Sequence, residues 1–103
     1  MEYANYIGYS DVYPYEVIRK ISDKTLEIRG MDTEKDPEWK PIIEAGGFSG
    51  HCVNQHTQKW IITSNEANRV FRIRLHKDGI WRGKHGEKFK LNDKPRCFYD
   101  YNF

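Results

Sequence analysis

The segment Val70-Phe71-Arg72-Ile73-Arg74-Leu75-His76-Lys77-Asp78-Gly79-Ile80-Trp81-Arg82 constrains the fold more than any other part of the chain. Apolar and cationic residues alternate along it and then pass through Asp78-Gly79. Alternation at period two belongs to a strand. It sets Phe71, Ile73 and Leu75 on one face and Arg72 and Arg74 on the other. Asp-Gly predicts a tight hairpin turn with both central positions at positive φ. One hairpin then buries an apolar face and presents guanidinium groups, with Trp81 and Arg82 on the returning strand. Such a surface suits a flat, anionic ligand.

Other segments read the same way. Tyr13 to Ile21 is rich in aromatic and β-branched residues, with Pro14 near its start, where a missing amide donor costs least. After a turn at Ser22-Asp23-Lys24, Thr25 to Arg29 alternates cleanly and completes a hairpin. Residues 31–41 predict a polar loop or one helical turn starting at Pro37 behind a capping Asp36. Ile42 to Ala45 is a short apolar patch, and Gly46 to Gly50 a flexible loop. His51–Asn54 and Lys59–Thr63 predict two more strands, and Ser64–Asn68 and Gly83–Gly86 predict turns. Glu87–Leu91 alternates again. The aromatic tail from Arg96 to Phe103 is too apolar to stay undocked and predicts an edge strand.

Six to eight short strands punctuated every ten residues or so define the class: mainly β, a small antiparallel barrel or strongly curled sheet, with at most one short helix. At 103 residues, the chain forms a single domain, 1–103. Aromatic residues make up 15% of it, enough to fill a thin core or to build stacking surfaces. The N-terminus lacks the basic and apolar regions of a signal peptide, and no apolar run approaches the ~20 residues of a membrane span. The expected location is therefore the cytoplasm, with no membrane partner. Two distant cysteines, Cys52 and Cys97, predict buried or half-buried thiols more readily than a disulfide.

Net charge is only +2, yet it is segregated: residues 69–96 hold ten Lys or Arg against three acids, the rest seven against twelve. A basic final third beside an acidic front points to an anionic partner. Catalysis is not expected. Ser49 in its glycine-rich loop and the His51-Cys52 pair are fragments of a nucleophilic site without its signature. Gly46-Gly47-Phe48-Ser49-Gly50 lacks the closing Lys-Ser/Thr of a phosphate-cradling loop. His51, Cys52, His56 and Cys97 have no metal-site spacing, so neither metal nor cofactor is predicted.

What remains is binding. Arg72 and Arg74 share a face two residues apart, a spacing suited to neighbouring phosphates. Arg82 and Arg29 on other strands complete a basic pocket, and Trp81 stacks on a base. Charge-assisted hydrogen bonds contribute ~1.5–3 kcal/mol each and base stacking ~1–3 kcal/mol, enough together for tight association.

The running order Tyr9-Ser10-Asp11-x-x-Pro14-Tyr15-x-Val17-Ile18, Lys24-Thr25, Arg74-x-x-Lys77-Asp78-Gly79-x-Trp81-Arg82 and Tyr99-Asp100-Tyr101-Asn102-Phe103 resembles a group of small phage and prophage proteins. More distantly, the chain resembles the sponge proteins by which phages counter Thoeris defence. That resemblance implies a homo-oligomer in the host cytoplasm that captures a cyclic nucleotide or ADP-ribose-derived signal without cleaving it. Two rival expectations stand beside it. One is an inhibitor that contacts nucleic acid or a host defence protein, as anti-CRISPR proteins do. The other is a phage structural or assembly protein.

Overall fold

The alternating segments pair edge to edge. The computed structural model describes residues 2–46, 49–52 and 54–100. The first strands along the chain are β1 (Tyr3–Ile7), β2 (Val12–Tyr13), β3 (Tyr15–Ser22), β4 (Thr25–Gly30) and β5 (Asp32–Lys35). They are followed by β6 (Ile43–Gly46), β7 (Ser49–Cys52), β8 (Trp60–Thr63), β9 (Val70–Leu75), β10 (Trp81–Arg82) and β11 (Lys88–Asn92). One 3-10 turn, Gln55–Thr57, lies between β7 and β8.

Six of these strands close on themselves. The order β11-β10-β9-β4-β3-β1 returns from β1 to β11, and every pairing is antiparallel. The molecule is thus a mainly β protein built on a closed antiparallel barrel, as the strand spacing predicts. β2 pairs with β1 in the same register as β3, so it extends that partner strand along β1 before Pro14. β5 with β8 and β6 with β7 form separate two-stranded ribbons.

Alternation fills the barrel. Ala4, Leu26, Ile28, Ile73 and Phe89 are buried inside, with Tyr6, Tyr15, Val17, Phe71, Trp81 and Leu91 packed around them. Tyr15 meets Phe71 edge-on at 5.6 Å and Phe89 edge-on at 5.4 Å. Aromatic rings thus share the interior with the aliphatic side chains. Each fully buried Ile contributes roughly 1.5–3 kcal/mol.

Closure depends on β1, a strand that the sequence pattern does not predict. Ala4 and Asn5 are adjacent and both buried, which breaks the expected alternation. Asn5 tolerates burial because its polar atoms are satisfied. Its Nδ2 donates to the Lys94 carbonyl at 3.1 Å, and its Oδ1 accepts the Arg96 N–H at 2.9 Å. An unpaired amide there would cost about 1–3 kcal/mol.

Several local expectations change. Residues 32–35 form β5 rather than a loop. Beyond them Asp36 caps a single turn, accepting the Glu38 N–H on Oδ1 and the Trp39 N–H on its carbonyl, and no helix continues from Pro37. Gly46 and Ser49 end a hairpin in place of the expected loop; Gly47 and Phe48 lie outside the described residues, as do the side chains of Ser49 and His51. The C-terminal segment forms one bridge in place of the expected edge strand, Phe98 exchanging both backbone hydrogen bonds with Val12 at 2.8 and 2.9 Å, and the Tyr99 and Asp100 N–H groups donate to Gln58 Oε1 and Asp11 Oδ1. Tyr101, Asn102 and Phe103 lie outside the described residues. Cys52 is buried, Cys97 half-buried, and neither is bridged. Among the described residues, no helix is long and apolar enough to cross a membrane.

A cationic cleft in the barrel wall

Two hairpin loops of the same construction shape this part of the barrel. After β9, the His76 N–H bonds to the Ile80 carbonyl and the Gly79 N–H to the His76 carbonyl. After β10, the Gly83 N–H bonds to the Glu87 carbonyl and the Gly86 N–H to the Gly83 carbonyl. Each loop therefore has three residues, Lys77-Asp78-Gly79 and Lys84-His85-Gly86. Only the glycines take positive φ, 80° and 85°. This is a type I turn closed by a left-handed glycine. The turn leaves Asp78 at negative φ, where its Oδ1 accepts the Ile80 N–H at 3.0 Å.

Loop length decides which way the returning strand faces. A two-residue turn would set Trp81 opposite His76, on the outside. The observed loop sets Trp81 opposite Leu75 and Arg82 opposite Arg74. A shift of one residue exchanges the faces of a strand. Trp81, also opposite Phe89 on β11, therefore turns inward and packs on the core. The indole does not share a surface with the arginines, and the expected stacking partner is absent from it.

The arginines do converge. Arg74, Arg82 and Lys88 lie directly opposite one another across β9, β10 and β11 on the outer face. Like charges so placed destabilise a sheet. Arg82 is offset by Asp78, 2.9 Å away. No acid within ion-pair distance offsets Arg74 or Lys88 among the described residues. Arg72 lies 3.5 Å from Glu27, a carboxylate that Arg19 engages more closely at 3.0 Å.

Because β10 is so short, β9 has a β10 partner only at Arg74 and Leu75. Beyond them the wall splits, and a cleft of ≈ 780 Å³ opens between β9 and the β10–β11 hairpin. Arg69, Arg72 and Arg74 line one side; Arg82, Lys84 and His85 line the other. Tyr15 and Phe71 border it from the core, and among the described residues Glu87 is the one acid along it. That carboxylate is held to its own turn, accepting the His85 N–H at 2.7 Å. It lies so close over Gly83 that a Cβ there would approach it at 3.0 Å. Burial, then the Tyr6 phenol and the Glu87 carboxylate, raise the Tyr15 hydroxyl above its ordinary value. Tyr15 thus stays a neutral donor beside the cations.

Arg29 is not part of this cleft. Its Nε and Nη2 both donate to Glu16 Oε1, at 3.1 and 2.7 Å, with each side chain only 16% exposed. The other Glu16 oxygen accepts the Ser64 hydroxyl at 2.7 Å. Burial pushes the Glu16 carboxyl up, but these hydrogen bonds and the Arg29 charge outweigh it, so the carboxyl lies below its ordinary range. Arg29 is a structural cross-link between β3 and β4, and its charge is already neutralised.

Of the five expected binding residues, the cleft gathers Arg72, Arg74 and Arg82 and leaves out Trp81 and Arg29. It adds Arg69, Lys84, His85 and Tyr15. Lys84 had a usable signal, since Gly83-Lys84-His85-Gly86 repeats the turn spacing of His76-Lys77-Asp78-Gly79. Among the described residues no group of three or more His, Cys, Asp or Glu side chains could hold a metal ion. No family model, curated protein or solved structure matches the chain.

Proposed function

We propose that this β-barrel protein binds a phosphorylated nucleotide in the cleft beside β9 and holds it without chemical change. The observation that carries the reading is the row Arg74–Arg82–Lys88, with Arg69 and Lys84 beside it, against a single turn-bound acid at the cleft. Arg82 is offset by Asp78, but Arg74 and Lys88 flank it with no counter-charge of their own among the described residues, which costs stability in the free protein. A bound polyphosphate supplies those charges, and each charge-assisted hydrogen bond contributes about 1.5–3 kcal/mol. Phosphates would take Arg74 and Lys84, and Tyr15 would donate from the floor. The resemblance to phage sponge proteins gives such binding a purpose: sequestering a nucleotide immune signal in the host cytoplasm as a homo-oligomer.

The test is mass spectrometry of small molecules released by denaturing the purified protein, before and after exposure to cyclic nucleotides and ADP-ribose cyclisation products. Recovery of a ligand at its original mass, lost in Arg74→Ala, supports the proposal. A product of altered mass points to an enzyme. No retained ligand from any of these mixtures overturns the reading.

Lys88 and Lys90 continue the cationic surface outward along β11, where both are exposed. That extension favours, as a second reading, contact with a longer polyanion such as single-stranded nucleic acid. A steep fall of oligonucleotide affinity with salt would distinguish it.

A further inference from the structure

The cleft has a second chemical property, which belongs to backbone rather than side chains. In an antiparallel strand each residue points its N–H and C=O to the same edge, and successive residues point to opposite edges. The Leu75 N–H bonds toward β4, to the Lys24 carbonyl, whereas the His76 N–H bonds to Ile80 across the loop. Counting back, Phe71 and Ile73 bond toward β4, and Val70 and Arg72 face the other edge. β10 reaches only Arg74 and Leu75. The Val70 C=O and the Arg72 N–H therefore face the cleft side by side, an acceptor and a donor, with no partner strand among the described residues.

We infer that this open edge reads the nucleobase. It would hold the base through an adjacent donor–acceptor pair on its Watson–Crick edge, while the cations around it hold the phosphates. The inference rests on the nucleotide-binding proposal and adds how the base is held. A strand edge offers a lone base what it would offer a neighbouring peptide: one hydrogen bond given and one received. Phosphate supplies acceptors only, so it can use the Arg72 N–H but leaves the Val70 C=O unsatisfied. A base satisfies both. The Arg69, Arg72 and Lys84 side chains reach the same cleft, which places base and phosphate recognition within one nucleotide's length. The site would therefore prefer nucleotides over pyrophosphate, independently of any aromatic stacking.

Titration calorimetry with ADP, GDP and inorganic pyrophosphate tests this on the intact protein and on Arg72→Ala and Arg72→Pro. Both variants lose the guanidinium, but only the proline also loses the N–H. Because that N–H faces the cleft and not β4, proline removes no ladder bond there. The tighter of ADP and GDP is expected to exceed pyrophosphate by at least about tenfold. Arg72→Pro should bind that nucleotide about tenfold more weakly than Arg72→Ala, with the two variants equal on pyrophosphate. Blocking the base edge, as N6,N6-dimethyl-ADP or 1-methyl-GDP, should cost the wild type a similar factor, a readout that does not depend on the proline variant folding.

Equal binding of nucleotide and pyrophosphate, or no penalty for the blocked bases, overturns the inference and leaves the phosphate site standing. If neither nucleotide nor pyrophosphate binds, both readings fall. If an extended acidic peptide binds instead, and loses affinity in Arg72→Pro, the edge takes a strand and not a base, which also overturns the inference.

Discussion

Arg82 donates from Nη2 to the Asp78 carboxylate at 2.9 Å, four residues back across the hairpin loop. The same guanidinium donates from Nη1 to the Gly86 carbonyl at 3.4 Å, so it straps one hairpin loop to the next. Asp78→Asn distinguishes a strap from a ligand contact. A strap predicts that the variant binds nucleotide a few-fold more weakly, because the Lys84 side of the cleft loses its position. A ligand-contacting Arg82 predicts equal or tighter binding once its guanidinium is released. Calorimetry on Asp78→Asn and Arg82→Lys separates the two.

The same pair titrates in a definite direction. The Arg82 hydrogen bond first, then the Ile80 N–H, hold the Asp78 carboxyl below its ordinary value. A lowered folded value means the strap is intact above the unfolded value of about 3.9 and is lost as pH falls through the folded one. The Ile80 amide resonance should therefore shift with a midpoint below about 3.9. Asp78→Asn should abolish that titration.

Arg29→Ala should destabilise the fold by about 2–3 kcal/mol in urea unfolding, since it strips two hydrogen bonds from a poorly exposed carboxylate. Nucleotide affinity per folded molecule should stay unchanged. The Glu16 contribution is present above about 4.3 and disappears as pH falls through the lower folded value, so wild type and Arg29→Ala should converge in stability at low pH.

Trp81→Ala makes the opposite separation from Arg74→Ala. Removing an inward indole leaves a cavity in the barrel and should cost about 3 kcal/mol of stability, with affinity altered less than twofold. Arg74→Ala should cost roughly tenfold or more in affinity and hold or raise the melting temperature, because it relieves a like-charge stack.

Cys97 should resist alkylation. Burial pushes its thiol up to about 11, against the lowering effect of a Thr33 hydrogen bond. Iodoacetamide at pH 8 should therefore label it far more slowly than an unfolded control, whose thiol titrates near 8.5.

The barrel was legible wherever one face is apolar and the other charged, as in Thr25–Arg29 and Val70–Leu75. It was illegible in β1, where Asn5 is buried on the strength of two tertiary hydrogen bonds that no local pattern encodes. The cleft was legible in its arginines, because charge alternation survives into the structure. Its boundaries were not. Trp81 turned inward because the loop before it holds three residues instead of two, and Asp78-Gly79 is compatible with both lengths. Arg29 was misread for a different reason: its partner Glu16 lies on the neighbouring strand, paired by a register that only the assembled hairpin defines.

The barrel seam joins Tyr3–Ile7 to Lys88–Asn92, with Asn5 opposite Lys90. A ring whose last pairing is its most distant in sequence cannot form progressively from one end. During synthesis the edge of β1 that takes β11 must wait unpaired until β11 has emerged, although β2 and β3 can occupy its other edge early. Such long-range pairings slow folding, and the waiting strand is a point at which a neighbouring chain could pair in its place. Ring closure, and not the making of hairpins, would then govern both the yield and the pace at which active protein appears.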